Sequence, residues 1–173
     1  MTNIEKRGIV SVHNKAGLIV AMRELVVRRC QLFATKGTAD RYYEETGERV
    51  GLLPELVGEP ISNDSVARER TARRIKDAMV DDAKFVQLAI LNLRPPKLIQ
   101  DSIGSRVSPD IGGTDMIITA ADSGVLVITS PVRYDDVIEQ IERPGGVEPR
   151  FRQQLAKEAY GHIADHFETS SNM

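Results

Sequence analysis

The sequence predicts an α/β fold of three layers (αβα), with helices on both faces of a mostly parallel sheet. Three observations carry this expectation. Apolar strand-like runs alternate with runs of helical spacing along the chain. The run from Phe85 to Leu93 is apolar on both faces, as an interior strand of a parallel sheet must be. Two small-residue turns, Ala34-Thr35-Lys36-Gly37-Thr38-Ala39 and Ser108-Pro109-Asp110-Ile111-Gly112-Gly113-Thr114, each lie between a strand-like run and a helix-like one, where such a fold holds an anion.

In chain order, Gly8 to Val12 reads as a short buried strand, and Leu18, Ala21, Met22, Leu25 and Val26 mark a helix over 15–29. Gln31 to Thr35 is the next strand, Gly37-Thr38 a turn, and 39–45 a helix stopped by Gly47. A short strand is expected around Val50 and a loop over 52–58. A charged helix follows over 64–80, capped by Asn63 or Asp64. It carries Arg68, Arg70, Arg73 and Arg74 among acidic residues, the pattern of a solvated face with i to i+4 pairs. The Phe85 to Leu93 strand ends before Pro95-Pro96, and 97–103 reads as a helical turn. The Gly112-Gly113 turn then opens a helix over 114–121, followed by a strand over 125–129 that Pro131 breaks. A helix over 134–142, the loop Pro144-Gly145-Gly146 and a final helix from Glu148 to about Phe167 complete the reading.

A chain of 173 residues with 41% apolar content is expected to form one domain over 1–173, with a core that needs no staples. Basic residues number 23 against 25 acidic ones, so a net charge of −2 gives no reason to expect nucleic acid or an anionic membrane as partner. Absence of Trp and an aromatic share of 5% also weaken any stacking platform for bases. A single cysteine, Cys30, cannot form an internal disulfide and reads as a buried structural thiol, although Arg28 and Arg29 stand beside it. With neither a signal-peptide core nor a membrane-spanning apolar run, a soluble cytoplasmic protein is expected.

Four segments carry candidate chemistry. Ser11-Val12-His13-Asn14-Lys15-Ala16-Gly17 follows the first strand, so its backbone N–H groups can face an anion while Lys15 adds a formal charge. An ordinary strand-to-helix turn capped by Asn14 is the alternative reading. Thr35, Lys36, Gly37 and Thr38 offer hydroxyls, amides and an ammonium after the second strand. Arg94 can bind a carboxylate or stabilise an oxyanion, or else simply reach solvent from a strand end. Asp110, ahead of Gly112-Gly113-Thr114, suits proton transfer or a helix cap. His162 and His166 lie one helical turn apart with Asp165 beside them, but no H-E-x-x-H glutamate or third ligand accompanies them, so no metal site is expected.

Together these segments resemble the inosine monophosphate cyclohydrolase domain of the bifunctional purine-biosynthesis enzyme, whose Rossmann-like fold is called methylglyoxal-synthase-like. The family's phosphate loop, Ser-x-Ser-Asp-Lys-Thr-Gly, matches 11–17 except that His13 and Ala16 replace two hydroxyl residues. Its Ser-Gly-Gly-Thr-Ala matches 35–39, with Lys36 in place of a glycine. Its Asn-Leu-Tyr-Pro matches 92–95, with Arg94 in place of the tyrosine. Asp110-Ile111-Gly112-Gly113 matches most closely. The closing Arg152-x-x-Leu155-Ala156-x-x-Ala159-Tyr160-x-His162-Ile163-Ala164 is similar to the family's Arg-x-x-Leu-Ala-x-x-Ala-Phe-x-His-Thr-Ala. The family's catalytic Arg-x-Lys-Thr-Leu-His-Pro is missing: its place reads Glu59-Pro60-Ile61-Ser62-Asn63-Asp64-Ser65. Ala120-Ala121-Asp122-Ser123 stands where the family has Ala-Ala-Lys-Asn, and Ile118 where it has an arginine.

The resemblance implies a homodimer that closes a ring by attack of a carboxamide nitrogen on a formamido carbon with loss of water, without metal or cofactor. It implies that Ser11, Lys15, Thr35, Lys36, Gly37, Thr38, Gly112, Gly113 and Thr114 bind an anionic or carbonyl group of a small-molecule substrate. Arg94 would stabilise developing negative charge and Asp110 would move a proton. His13 is a further catalytic candidate, because the family has no base there and histidine changes charge nearest neutrality. The missing catalytic segment implies a stand-alone, repurposed cyclohydrolase-like enzyme of specialised metabolism, acting on a small carbonyl or amide compound by ring closure with dehydration or its reverse. It would not be a competent inosine monophosphate cyclohydrolase. A non-catalytic regulatory domain that binds a small anion or nucleotide is the alternative.

Overall fold

The computed structural model describes residues 6–82, 84–102 and 104–173. Five strands form one parallel sheet in the order β3-β2-β1-β4-β7, built from β1 (Lys6–Ser11), β2 (Cys30–Ala34), β3 (Gly51–Leu52), β4 (Leu88–Leu91) and β7 (Leu126–Ile128). Register runs Val10 beside Ala34 on one side and Ile90 on the other, with Ile90 beside Ile128. Side chains alternate between two cores, since successive strand residues point to opposite faces. Val10, Leu88, Ile90, Leu126 and Ile128 join one core, while Ile9, Ala89, Leu91 and Val127 join the other. All four residues of β4 are buried, which explains why that run is apolar on both faces.

Helices α1 (Leu18–Val27), α2 (Lys36–Thr46) and α6 (Tyr134–Glu142) cover the first core. Helices α4 (Ser65–Asp81) and α5 (Ile111–Asp122) cover the second. The last helix, α7 (Pro149–Ser171), packs along the edge strand β7 and feeds both cores, Leu155 into one and Ala159 into the other. Polar ties fix its path: Arg133 bonds to Glu158 at 2.5 Å, Arg152 donates to the Gly124 carbonyl, and the Tyr160 hydroxyl donates to Asp122. The layered αβα arrangement is therefore the predicted one. Among the described residues, no helix is long and apolar enough to cross a membrane.

Several local expectations are corrected. Residues 97–103 are not a helical turn: β5 (Lys97–Asp101) pairs antiparallel with β6 (Gly104–Ser108) as a hairpin outside the main sheet. The register Leu98 to Val107 and Ile99 to Arg106 gives the backbone cross-strand partners, which a reading of 97–103 alone could not supply. Ile103, the end of that expected turn, lies outside the described residues. Residues 52–58 are not all loop, because a short helix α3 (Leu53–Leu56) starts with Pro54 in its first turn and Glu55 accepting from the Leu52 N–H. Neither Gly37-Thr38 nor Gly112-Gly113 forms a turn ahead of its helix. Both pairs lie inside the first turn, behind the caps Thr35 and Asp110, and none of these glycines has positive φ. Gly47 does end α2 as expected, at φ 73°.

The expected strand over 85–93 is shorter, because Phe85 turns back to the Asp82 carbonyl, 88–90 pair with neighbours on both sides and Leu91 pairs with Ser11 of β1 alone. Asp64, one of two predicted caps, accepts from the Ala67 N–H at 3.0 Å and starts α4. Cys30 is buried. Burial raises its thiol pKa and the opposing pull of Lys6 and Arg28 does not reverse this, so the thiol is structural.

Candidate active site

Parallel strands all deliver their carboxyl ends to one edge of the sheet, and the segments that follow them converge there. A cavity of about 550 Å³ opens at that edge, beyond β1, β2 and β4 and beside α3. Ser11, His13 and Lys15 reach it from the end of β1; Thr35, Lys36 and Gly37 from the end of β2; Arg94 from beyond β4; Asp110, Gly112 and Gly113 from the start of α5. The structure thus brings all the predicted site residues together at one cavity except Thr38 and Thr114. Those two stand behind the wall. Thr38 is fully buried and accepts a hydrogen bond from the Thr35 hydroxyl at 3.1 Å. Thr114 is buried with no partner for its hydroxyl among the described residues, while its N–H donates to the Asp110 carbonyl.

The centre of the site is a pair. Arg94 donates to the Asp110 carboxylate through Nε at 3.3 Å, through a terminal guanidinium nitrogen at 3.2 Å and through its own backbone N–H at 3.0 Å. Asp110 also caps α5 by accepting from the Gly113 N–H at 3.2 Å. Burial alone would raise the pKa of this carboxyl. The hydrogen bonds from the Arg94 side chain, the Arg94 N–H and the Gly113 N–H outweigh that and hold it below the usual aspartate range. Gly113 makes the close approach possible, since a Cβ there would lie 2.9 Å from Asp110 Oδ2 and 2.8 Å from Leu93.

Three positioning residues escape a reading of the sequence for catalytic types. Asn92 ties the end of β4 to the loop after β1: its Oδ1 accepts from the His13 N–H at 2.6 Å and the Asn14 N–H at 3.1 Å, and its Nδ2 donates to the Asn14 carbonyl at 3.0 Å. From α7, His162 Nε2 accepts from the Leu93 N–H at 3.2 Å and His166 Nε2 accepts from the Asp110 N–H at 2.9 Å. The one-turn spacing of the histidines was visible in sequence; it serves two backbone segments, and no group of metal ligands occurs among the described residues. Burial first, then the neighbouring His166, lowers the His162 pKa against the opposing pull of Asp165.

The segment in place of the expected catalytic loop forms the remaining wall. Pro60, Ile61, Ser62 and Asn63 line the cavity, as do Arg68 and Thr71 of α4. Glu59, its side chain 7% exposed, anchors this segment through Arg70 and Arg74 at 2.9 Å each. The charged helix is therefore more than a solvated face: two of its arginines clamp a buried carboxylate and a third, Arg68, faces the cavity. Lys36 pairs with Asp40 at 2.6 Å, and Lys15 Nζ donates to the Val12 carbonyl at 3.3 Å. The His13 side chain makes no hydrogen bond among the described residues, although its N–H is held by Asn92.

No family model matches the chain. In sequence it is similar to the bifunctional purine biosynthesis protein PurH of Desulfitobacterium hafniense, 27% identical over 185 residues, and of Listeria monocytogenes, 28% identical over 179 residues. It is 30% identical over 181 residues to the PurH of Rhodopirellula baltica. These matches cover 92–94% of this chain, which itself spans about a third of the length of those relatives, 34–35%. In structure it superposes on the crystal structure of ForH with a TM-score of 0.76 and 19% identity, over 96% of this chain and 97% of that one. That likeness shows the shared fold.

Proposed function

We propose that this chain, a divergent relative of the inosine monophosphate cyclohydrolase region of PurH, is a cyclohydrolase-like enzyme that closes a ring with loss of water, or runs the reverse hydrolysis, on a small anionic carbonyl or amide compound. The observation that carries the reading is the convergence of four predicted segments on one cavity whose lining holds Lys15, Lys36, Arg68 and Arg94 against a single carboxylate, Asp110. Such a surplus of positive charge favours an anionic substrate.

In the proposed reaction a substrate nitrogen attacks a carbonyl carbon and the C–N bond forms as the carbonyl electron pair moves to oxygen. Arg94 meets that developing charge from the cavity wall. The oxygen then leaves as water, taking one proton from the attacking nitrogen and one from the nitrogen that becomes doubly bonded. Asp110 is a weak base in its present setting, because Arg94 and Gly113 hold it ionised. In this reading Asp110 orients Arg94 through their paired hydrogen bonds. Proton transfer falls to His13, the imidazole on the cavity wall. A single domain, a homodimer and a cytoplasmic setting complete the reading.

Conversion of the formamido-carboxamide ribonucleotide to inosine monophosphate tests the divergence. The lysine-bearing segment, the tyrosine and the lysine after Ala-Ala are replaced here, so turnover stays well below about 1 per second, the low end of ordinary enzymes. A rate at or above that value overturns the repurposed reading. The alternative, an anion-binding domain without catalysis, draws support from the Arg94–Asp110 pair, which leaves His13 as the unengaged proton carrier on the wall. A His13→Ala variant that binds ligand and turns it over as the parent does would remove His13 from the mechanism.

A further inference from the structure

We propose that Arg68 is the substrate-recognition residue of the cavity and binds an oxyanionic group, a carboxylate or a phosphate, on the part of the substrate that lies against α4; this rests on the cavity being the active site. Comparison along one helix carries the argument. Arg70 and Arg74 share the Glu59 carboxylate, Arg73 lies 3.9 Å from Glu69, and Lys76 bonds to Asp115. Arg68 alone among these cations lines the cavity, and its side chain has no carboxylate or hydrogen-bond partner among the described residues.

The other cations on the wall are engaged. Arg94 is held by Asp110, Lys36 by Asp40 and Lys15 by the Val12 carbonyl. Lys15 lies in the loop ahead of α1 and Lys36 opens α2, both helices over the first core, whereas Arg68 is on α4 over the second, so cations line the cavity from elements of both helical layers. A guanidinium offers five donors in a planar fork that matches a carboxylate or phosphate in two-point contact. It stands one turn into α4, whose N-terminal cap and Glu59 clamp hold the preceding segment in place. Specificity for the charged end of the substrate is thereby located just after residues 59–65, the segment that stands where the resemblance expects a catalytic loop.

The test uses the full chain with two probes, inorganic phosphate and malonate, followed by calorimetry and by the arginine Nε–H signals in a nitrogen–proton NMR spectrum. Arg68→Gln identifies the Arg68 signal and weakens binding of at least one probe about tenfold, while Arg68→Lys loses less. Arg73→Gln, a change outside the cavity, leaves affinity unchanged and confirms that bulk charge is not responsible. A shift of the Arg68 signal with phosphate alone identifies a phosphorylated substrate class, and with malonate alone a carboxylate class. Unaltered affinity in Arg68→Gln, or no saturable response of the Arg68 signal up to about 10 mM of either probe, overturns the proposal. If Lys15→Gln then abolishes binding, the cavity reading survives without Arg68; if neither variant matters, both fall.

Discussion

His166 Nε2 accepts the backbone N–H of Asp110 at 2.9 Å, joining α7 to the first turn of α5 across 56 positions of sequence. Only an unprotonated Nε2 can accept, so in this arrangement the neutral imidazole carries its proton on Nδ1. The bond satisfies a partly buried donor at the residue that pairs with Arg94. Removing the acceptor with His166→Phe is expected to cost about 1–3 kcal/mol. His166→Gln, whose side-chain oxygen can take the same bond, should recover part of it. Urea unfolding of the two variants checks this, and equal stability of His166→Phe and the parent would contradict it.

Acid should loosen the site through His162. Its pKa is lowered in the fold by burial and by His166, while the unfolded chain takes a proton at the ordinary value of about 6.5. The unfolded state therefore binds more protons in this range, so stability is complete above about pH 6.5 and declines as pH falls through the lower folded value. Asp110, also held low in the fold, adds a second loss at more acidic pH, below the ordinary aspartate range. Urea midpoints measured from pH 7.5 downward are expected to fall for the parent and to be flatter for His162→Gln in the mildly acidic range.

Gly113→Ala places a methyl group 2.9 Å from Asp110 Oδ2 and 2.8 Å from Leu93. The leucine tip can yield, but the carboxylate is held by several donors. Expected are a stability loss of about 1–3 kcal/mol and weakened ligand binding from a displaced Arg94–Asp110 pair. Gly112→Ala, where an added Cβ meets nothing within 4 Å, is the matched control. Similar behaviour of the two variants would show that the close approach is unimportant.

The Glu59 clamp is expected to stabilise modestly. Its carboxylate is 7% exposed but Arg70 and Arg74 are 50% and 55% exposed, so solvent screens much of the attraction. Glu59→Gln should destabilise by about 1 kcal/mol. A double-mutant cycle with Arg70→Ala isolates the coupling, and a coupling near zero would assign Glu59 to packing alone.

A homodimer is expected from the resemblance to the cyclohydrolase family, and the surface has apolar residues to spare for it. Val20 and Val27 of α1 are 68% and 76% exposed, and Leu98 of the β5–β6 hairpin is 56% exposed. Light scattering at micromolar concentration should give twice the chain mass. A monomer removes the expectation.

The sequence by itself determined the layers and the site-bearing loops. Strand and helix periodicity is local, and the two-faced burial of β1 and β4 is written in their own residues, so the sheet and the edge at which the cavity opens followed without coordinates. Glycine and proline signals were less reliable at boundaries: Gly37 and Gly112 looked like turns but lie inside helices, because Thr35 and Asp110 supply the caps ahead of them. The tertiary structure decided which polar groups meet. Neither the Arg94–Asp110 pair, the anchoring of Asp110 by His166, the Glu59 clamp nor the place of Arg68 in the cavity lining follows from spacing. Hydrogen bonds of this kind are short and directional, so their partners are fixed only when the packed sheet and helices hold distant segments within about 3 Å of one another.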